Sequence, residues 1–217
     1  MKHTLEADGI QLEFNNRSIL SSIYLKCETG TITGLLGKNG AGKSCLMRII
    51  HKSLECESSI RINGKSINLS NRTNEQILYL PQHHFIPKHL KLKTVLNHYK
   101  LSLSDFEKTI PGFESKENES IGSFSGGERR LVEIYIIVKS NALFIMLDEP
   151  FTHLSPIQIE RVQALITEEK TNKGFLVSDH LYQHILDISN HLYLLKDGRT
   201  ILLKNRTEIE TLGYARL

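Results

Sequence analysis

Apolar and polar residues alternate through Ile10, Leu12 and Phe14, break at Asn15-Asn16, and alternate again at Ile23 and Leu25 up to Glu28-Thr29-Gly30. A period of two on both sides of a turn predicts an antiparallel hairpin. Thr31 to Leu36 is a short apolar run entering a glycine-rich loop, the pattern of a buried strand. Beyond the loop, Leu46, Ile49, Ile50 and Leu54 recur at helical spacing. Ile60 to Ile67 predicts a second hairpin turning at Asn63-Gly64. Ile77 to Leu80 predicts a buried strand that ends at Pro81-Gln82.

From His83 to about Ser123 the apolar strands disappear and polar, Lys-rich segments of helical character follow. Leu131, Ile134, Tyr135 and Val138 mark a further helix. Strand and helix then alternate: a strand over 143–147, a helix over 156–170, a strand over 175–178 and a helix over 180–188. Such alternation predicts a mainly parallel sheet. Two strands about Asp197-Gly198 and a short helix near Thr207 complete the pattern. The expected fold class is α/β: a mixed, mainly parallel core, an N-terminal antiparallel β subdomain and an α-helical insertion. A single domain is expected over 1–217, with 83–138 as the inserted helical subdomain.

Composition adds little to this picture. A chain of 217 residues with 40% hydrophobic and 24% charged residues suits one soluble globular domain. The 27 basic and 24 acidic residues leave a formal charge of +3, too balanced to argue for a nucleic-acid surface. Cys27, Cys45 and Cys56 have no metal-ligand spacing, so reduced thiols are expected. The start, Met1-Lys2-His3-Thr4, lacks the apolar stretch of a signal peptide. The longest apolar run, 142–147, is far short of the roughly 20 residues of a spanning helix.

Three motifs carry the chemistry. Gly37-Lys38-Asn39-Gly40-Ala41-Gly42-Lys43-Ser44 fits G-x-x-x-x-G-K-S, between an apolar strand and a helix. Glycines let backbone N–H groups turn inward on phosphate oxygens, and the helix N-terminus adds a partial positive charge. Lys43 would reach the terminal phosphates, and the Ser44 hydroxyl would ligate Mg²⁺. Next, the strand over 143–147 ends in Asp148-Glu149. Asp148 is placed to hold Mg²⁺ and Glu149 to polarise an attacking water.

The third motif is Ser125-Gly126-Gly127-Glu128, followed by Arg129-Arg130. Ser-x-x-Glu before an apolar helix is a capping box, which alone would explain it. Yet Gly126 and Gly127 each cost a helix roughly 1 kcal/mol relative to Ala, and they clear side chains from a site where a ligand could approach. Arg129 and Arg130 also stand near the positive end of the helix dipole, where cations are unfavourable.

Together the three motifs resemble the ATP-binding cassette (ABC) ATPases, and the resemblance spans essentially the whole chain. It implies a P-loop nucleotide-hydrolase core binding ATP and Mg²⁺, with ATP contacted by the run from Gly37 through Lys38, Asn39, Gly40, Ala41, Gly42, Lys43 and Ser44 to Cys45. Ser125, Gly126 and Gly127 would contact the γ-phosphate held by a second, head-to-tail subunit. Phe14, 23 positions before Gly37, stands where the family stacks an aromatic on adenine. Gln82, in Tyr79-Leu80-Pro81-Gln82, matches the glutamine that senses Mg²⁺ and the attacking water. His180, in Val177-Ser178-Asp179-His180, matches the histidine that contacts the γ-phosphate. The implied catalytic set is Glu149, His180 and Gln82, and the implied metal set is Ser44, Gln82 and Asp148.

Some positions depart from the pattern. Glu128 replaces the commoner Gln, which a capping box tolerates equally. Ser155 in Thr152-His153-Leu154-Ser155-Pro156 stands where the family usually has Asp, which affects coupling between two ATP sites. The wording nearest this chain is that of lipopolysaccharide-export and branched-chain amino-acid uptake ATPases, although Tyr135-Ile136-Ile137 replaces their Ala-Arg-Ala. His83, His84 and His89 lack carboxylate or Cys partners at ligand spacing and read as a solvated loop. The segment just after Gln82 matches the position of the family's docking groove for the transmembrane partner, and apolar Phe85, Ile86, Leu90, Leu92, Val95 and Leu96 either line that surface or pack the insertion. The resemblance implies a subunit on the cytoplasmic face of a membrane, paired with a separate transmembrane permease and a second ATPase subunit, as a homodimer, with no nucleic acid bound. The alternative is a soluble ABC ATPase with a non-membrane partner, as in iron–sulfur cluster assembly.

Overall fold

The computed structural model describes residues 2–67 and 76–215; the ends of the expected domain, Met1 and Leu217, lie outside them. The chain opens with β1 (Thr4–Phe14), β2 (Arg17–Leu20), β3 (Tyr24–Glu28) and β4 (Ile32–Leu36), followed by α1 (Lys43–Ile50). Then come β5 (Glu57–Ile62), β6 (Lys65–Ser66) and β7 (Ile77–Leu80). The helices α2 (Leu92–His98) and α3 (Leu103–Thr109), a 3-10 turn at Ile121–Ser123 and α4 (Gly126–Val138) follow. The rest alternates as β8 (Phe144–Asp148), α5 (Pro156–Glu169), β9 (Gly174–Ser178), α6 (Tyr182–Ile188), β10 (His191–Lys196), β11 (Arg199–Leu203) and α7 (Glu208–Thr211).

Two sheets organise the molecule. The larger has the order β11-β10-β4-β9-β8-β7, parallel except for the antiparallel edge strand β11. Its inner strands β4, β8 and β9 are buried at every position. This is why each reads as a mostly apolar run, interrupted by Thr33 in β4 and closed by Asp148 in β8 and Ser178 in β9. The smaller sheet is antiparallel and contains β1, β2, β3, β5 and β6. One core cluster lies between the sheets around α1, with Leu46, Met47, Ile49 and Ile50 against Leu5, Leu25 and Met146. The other packs α2 to α6 against the opposite side of the large sheet, centred on Tyr135, Phe106 and Phe113.

The first hairpin differs from expectation. Its return strand is β2, turning at Asn15-Asn16, which both take positive φ. The stretch containing Leu25 is instead β3, which pairs with Thr4–Asp8 of the same long β1. The register of β1 on β5 breaks between Asp8 and Gln11, and β1 pairs with β3 before this break and with β2 after it. The first helix also ends early. Lys52 takes φ +61, and the N–H groups of Ser53 and Leu54 bond back to Arg48 O at 2.8 and 3.1 Å, closing α1 in a left-handed cap. Leu54 therefore packs on the core from outside the helix.

Candidate active site

The phosphate loop follows from the burial of β4. Chain emerging from a fully buried central strand must turn at once into α1, and Gly42 makes the turn at φ +103. A Cβ there would also stand 3.1 Å from both the Ile19 and Leu20 side chains, so a larger residue would be strained by φ and crowded by its neighbours. Lys43, the first residue of α1, is buried, and its ammonium donates to Gly37 O at 2.7 Å and Lys38 O at 3.3 Å. Burial lowers its pKa, opposed by the nearby charges of Glu149, Asp148 and Asp179.

At the end of β8, Asp148 is fully buried. Ser178 Oγ donates to its Oδ1 at 2.9 Å and the Tyr79 hydroxyl to its Oδ2 at 2.9 Å. Burial and the Asp148 charge push the Tyr79 phenol far up, which keeps it a donor. Glu149 follows with φ +50, a conformation that costs a non-glycine residue of order 1 kcal/mol or more. Its N–H donates to Ser178 O at 2.7 Å.

Gln82 joins these two loops. Its Nε2 lies 2.9 Å from Ser44 Oγ, 3.1 Å from Glu149 Oε1 and 3.4 Å from Asp148 Oδ1. One amide therefore touches the loop serine and both acids. His180 closes the ring, with Nδ1 3.7 Å from Glu149 Oε2 and 3.3 Å from Asp179 Oδ1. It precedes α6 rather than beginning it. Asp179 Oδ1 accepts from Leu181 N and Oδ2 from Phe151 N, both at 2.9 Å, which delays the helix and ties the segment to the chain after Glu149. A cleft of about 420 Å³ runs from Phe14 and Ile19 past Asn39, Gly40, Gly42, Lys43, Ser44 and Cys45 to Gln82 and Glu149. Phe14 is 47% exposed on its rim, an unusual position for a strand phenylalanine.

Ser125, Gly126 and Gly127 stand apart from this cluster; among the described residues, no hydrogen bond joins them to the phosphate loop. The capping box is formed, with Ser125 N to Glu128 Oε2 at 2.8 Å and Glu128 N to Ser125 Oγ at 3.2 Å. Lys116 bonds the other Glu128 oxygen at 2.6 Å and lowers the carboxyl pKa. The two glycines have different reasons. A Cβ on Gly126 would meet nothing within 4 Å, whereas one on Gly127 would lie 2.8 Å from His153 O. Clearance for a ligand thus fits Gly126, while Gly127 lets α4 rest on the 152–155 loop. In that loop Ser155 caps α5, with its N–H donating to Gln158 Oε1 at 2.9 Å.

Arg130 corrects the expectation drawn from the helix dipole. It is buried, and its guanidinium donates to Pro81 O, Asp148 O and Glu149 O at 2.6, 2.7 and 3.0 Å. Sequence reading missed it, and missed buried Glu133 on the same helix. The available signal was a carboxylate set inside the apolar run from Leu131 to Val138, since a charge is buried only with partners. His84 is one such partner, with Nδ1 3.0 Å from Glu133 Oε2.

Ser44 Oγ and Asp148 Oδ1 are hard oxygen donors that both face the Gln82 Nε2, and the Gln82 amide would add its own oxygen on turning over. That chemistry fits Mg²⁺ held jointly by protein, water and phosphate.

Comparison with known proteins identifies the family. A family profile described as ABC transporter matches residues 20–152. An uncharacterized ABC transporter ATP-binding protein of Rhizobium meliloti is 30% identical, covering 96% of this chain and 83% of its own. The lipopolysaccharide export system ATP-binding protein LptB of Escherichia coli K12 is 31% identical over 95% of this chain and 92% of its own. LptB of Haemophilus influenzae is 30% identical over 91% and 88%. Among solved structures, the ATP-binding subunit of an ABC transporter superposes with a TM-score of 0.81 at 23% identity, covering 97% of this chain and 93% of that one. A phosphate loop and an acidic strand end bridged by one glutamine, a capped Ser-Gly-Gly-Glu helix and these relatives together place the chain in the ABC transporter family, among its ATP-binding subunits.

Proposed function

We propose that this subunit hydrolyses ATP and uses the cycle to drive a separate membrane-spanning partner. The observation that carries this reading is the Gln82 amide within 3.1 Å of both Ser44 Oγ and Glu149 Oε1. It brings the phosphate-loop serine and the candidate base within reach of one amide, which supports a shared reaction centre. In this reading Phe14 stacks on adenine, and the backbone from Gly37 to Cys45 wraps the phosphates. Lys43 leaves the Gly37 and Lys38 carbonyls to meet the terminal phosphates. Ser44, Asp148 and Gln82 would hold Mg²⁺, which would supply neutralisation of the charge developing on those phosphates.

Glu149 accepts a proton from the attacking water while Gln82 orients that water from Glu149's other side. His180, near Glu149 Oε2, donates toward the γ-phosphate. A second copy of the chain supplies Ser125, Gly126 and Gly127 head to tail, which suits an exposed, capped helix start unattached to its own phosphate loop. The membrane partner docks at an apolar groove formed by Phe85, Ile86, Leu90, Val95 and Tyr99. No described helix is long and apolar enough to cross a membrane. In this reading a separate membrane-spanning chain holds the subunit against the cytoplasmic face. The resemblance to LptB, named for lipopolysaccharide export, favours transport over a partner in iron–sulfur assembly.

Glu149→Gln tests the mechanism. The variant should bind ATP and accumulate as a closed dimer while turnover falls by roughly 10²-fold or more. Hydrolysis at the wild-type rate would remove Glu149 from the role of base.

A further inference from the structure

Arg130 and Glu133 lie one turn apart on α4, with side chains 4% and 0% exposed, and neither lines the nucleotide cleft. Their partners sit on the catalytic loops. Arg130 takes the carbonyls of Pro81, Asp148 and Glu149. Glu133 Oε1 accepts from Phe85 N at 3.0 Å, while Oε2 faces His84 Nδ1 at 3.0 Å. The two charges meet each other at 3.8 Å. One helical turn therefore grips both ends of the loop that carries Gln82, together with the backbone that carries Glu149.

Stability alone is a weak reason for this arrangement. A buried ion pair is often replaceable by apolar residues at no loss, because desolvation offsets the attraction. Here the bonds instead go to backbone groups of the two segments that carry Gln82 and Glu149. Glu149 holds a left-handed φ, and Arg130 bonds its carbonyl directly. The Pro81 carbonyl accepts from the Arg130 guanidinium, and the N–H groups of Phe85 and Ile86 donate to the Glu133 carboxylate. A displacement of about 1 Å at a reacting group is enough to cost a large factor in rate.

We propose that Arg130 and Glu133 are positioning residues that set Gln82 and Glu149 in register for hydrolysis, and that they act on turnover rather than on ATP affinity. This rests on the hydrolysis reading above. The test compares Arg130→Lys and Glu133→Gln with the wild-type full chain, measuring kcat and KM for ATP, the affinity for a non-hydrolysable ATP analogue, and thermal unfolding. Lysine keeps the charge but cannot reach three carbonyls at once. Glutamine keeps an acceptor for Phe85 N but loses the charge opposite Arg130.

The expected result for Arg130→Lys is a kcat at least about tenfold lower, with KM and analogue affinity within about twofold of wild type. A smaller fall in kcat with the same unchanged affinity is expected for Glu133→Gln. Folded variants with wild-type kcat overturn the proposal, and so does a loss confined to KM. If Arg130→Lys does not fold, Glu133→Gln decides alone. Absence of turnover in the wild-type chain overturns the hydrolysis reading itself, and this inference with it.

Discussion

Gly126→Ala separates two explanations of the Ser-Gly-Gly-Glu helix start. Gly126 is the first residue of α4, outside the positive-φ residues, and an added Cβ would meet nothing within 4 Å in its own chain. Within one subunit the substitution is therefore free of clash, and it removes the entropic cost of glycine, roughly 0.5–1 kcal/mol. For a chain of this size that raises Tm by about 1–4 °C. Across a dimer the same methyl enters the space where the partner's γ-phosphate approaches the helix N-terminus. Displacing such a donor from a developing oxyanion costs roughly 10²-fold in turnover. Thermal melting of the nucleotide-free protein and steady-state ATPase at saturating ATP read the two effects separately. The expected outcome is a more stable and nearly inactive variant. A stabilised variant that keeps wild-type turnover would show that the motif is a helix cap only. A destabilised one would refute the geometry assigned to Gly126.

Other perturbations follow from the same contacts. Phe14→Ala should weaken ATP binding by about 1–3 kcal/mol of lost base stacking, read as a raised KM with kcat largely kept. Lys173→Met removes a buried ammonium that donates to Val138 O at 2.5 Å and Glu169 at 2.7 Å, and should lower unfolding stability by about 1–3 kcal/mol in denaturant titration. Because burial depresses the Lys43 pKa, the protonated form that attracts phosphate is lost as pH rises through a value below the ordinary lysine range. Nucleotide affinity measured by titration calorimetry should fall over that alkaline window. Ser155→Asp should change turnover or its cooperativity in ATP, since Ser155 sits in the loop on which Gly127 of α4 rests; unchanged kinetics would remove that coupling role.

The parallel strands were legible because β4, β8 and β9 are buried throughout, so burial and apolar sequence coincide. The phosphate loop was legible because its glycines, lysine and serine are each required locally, and the structure then gathers Ser44, Gln82, Asp148, Glu149 and His180 at one strand edge. What escaped reading depends on partners distant in sequence. The pairing of one long β1 with both β2 and β3 arises from a register break, which alternation alone does not reveal. Arg130 looked like a charge at a helix start because its acceptors are carbonyls of Pro81, Asp148 and Glu149, and backbone groups leave no mark on composition. Gly127 looked like a ligand clearance because the carbonyl of His153 comes from a separate loop.

The central claim is that each ATP site is shared between two copies of the chain, and subunit complementation tests it most directly. Lys43→Ala disables one phosphate loop and Ser125→Arg disables one helix start, so each variant alone should be inactive. Head-to-tail pairing of the two puts both lesions in one site and leaves the other intact. An equimolar mixture should then regain up to about a quarter of wild-type turnover, since half the dimers are mixed and each holds one sound site. A mixture as inactive as its two components would contradict the account.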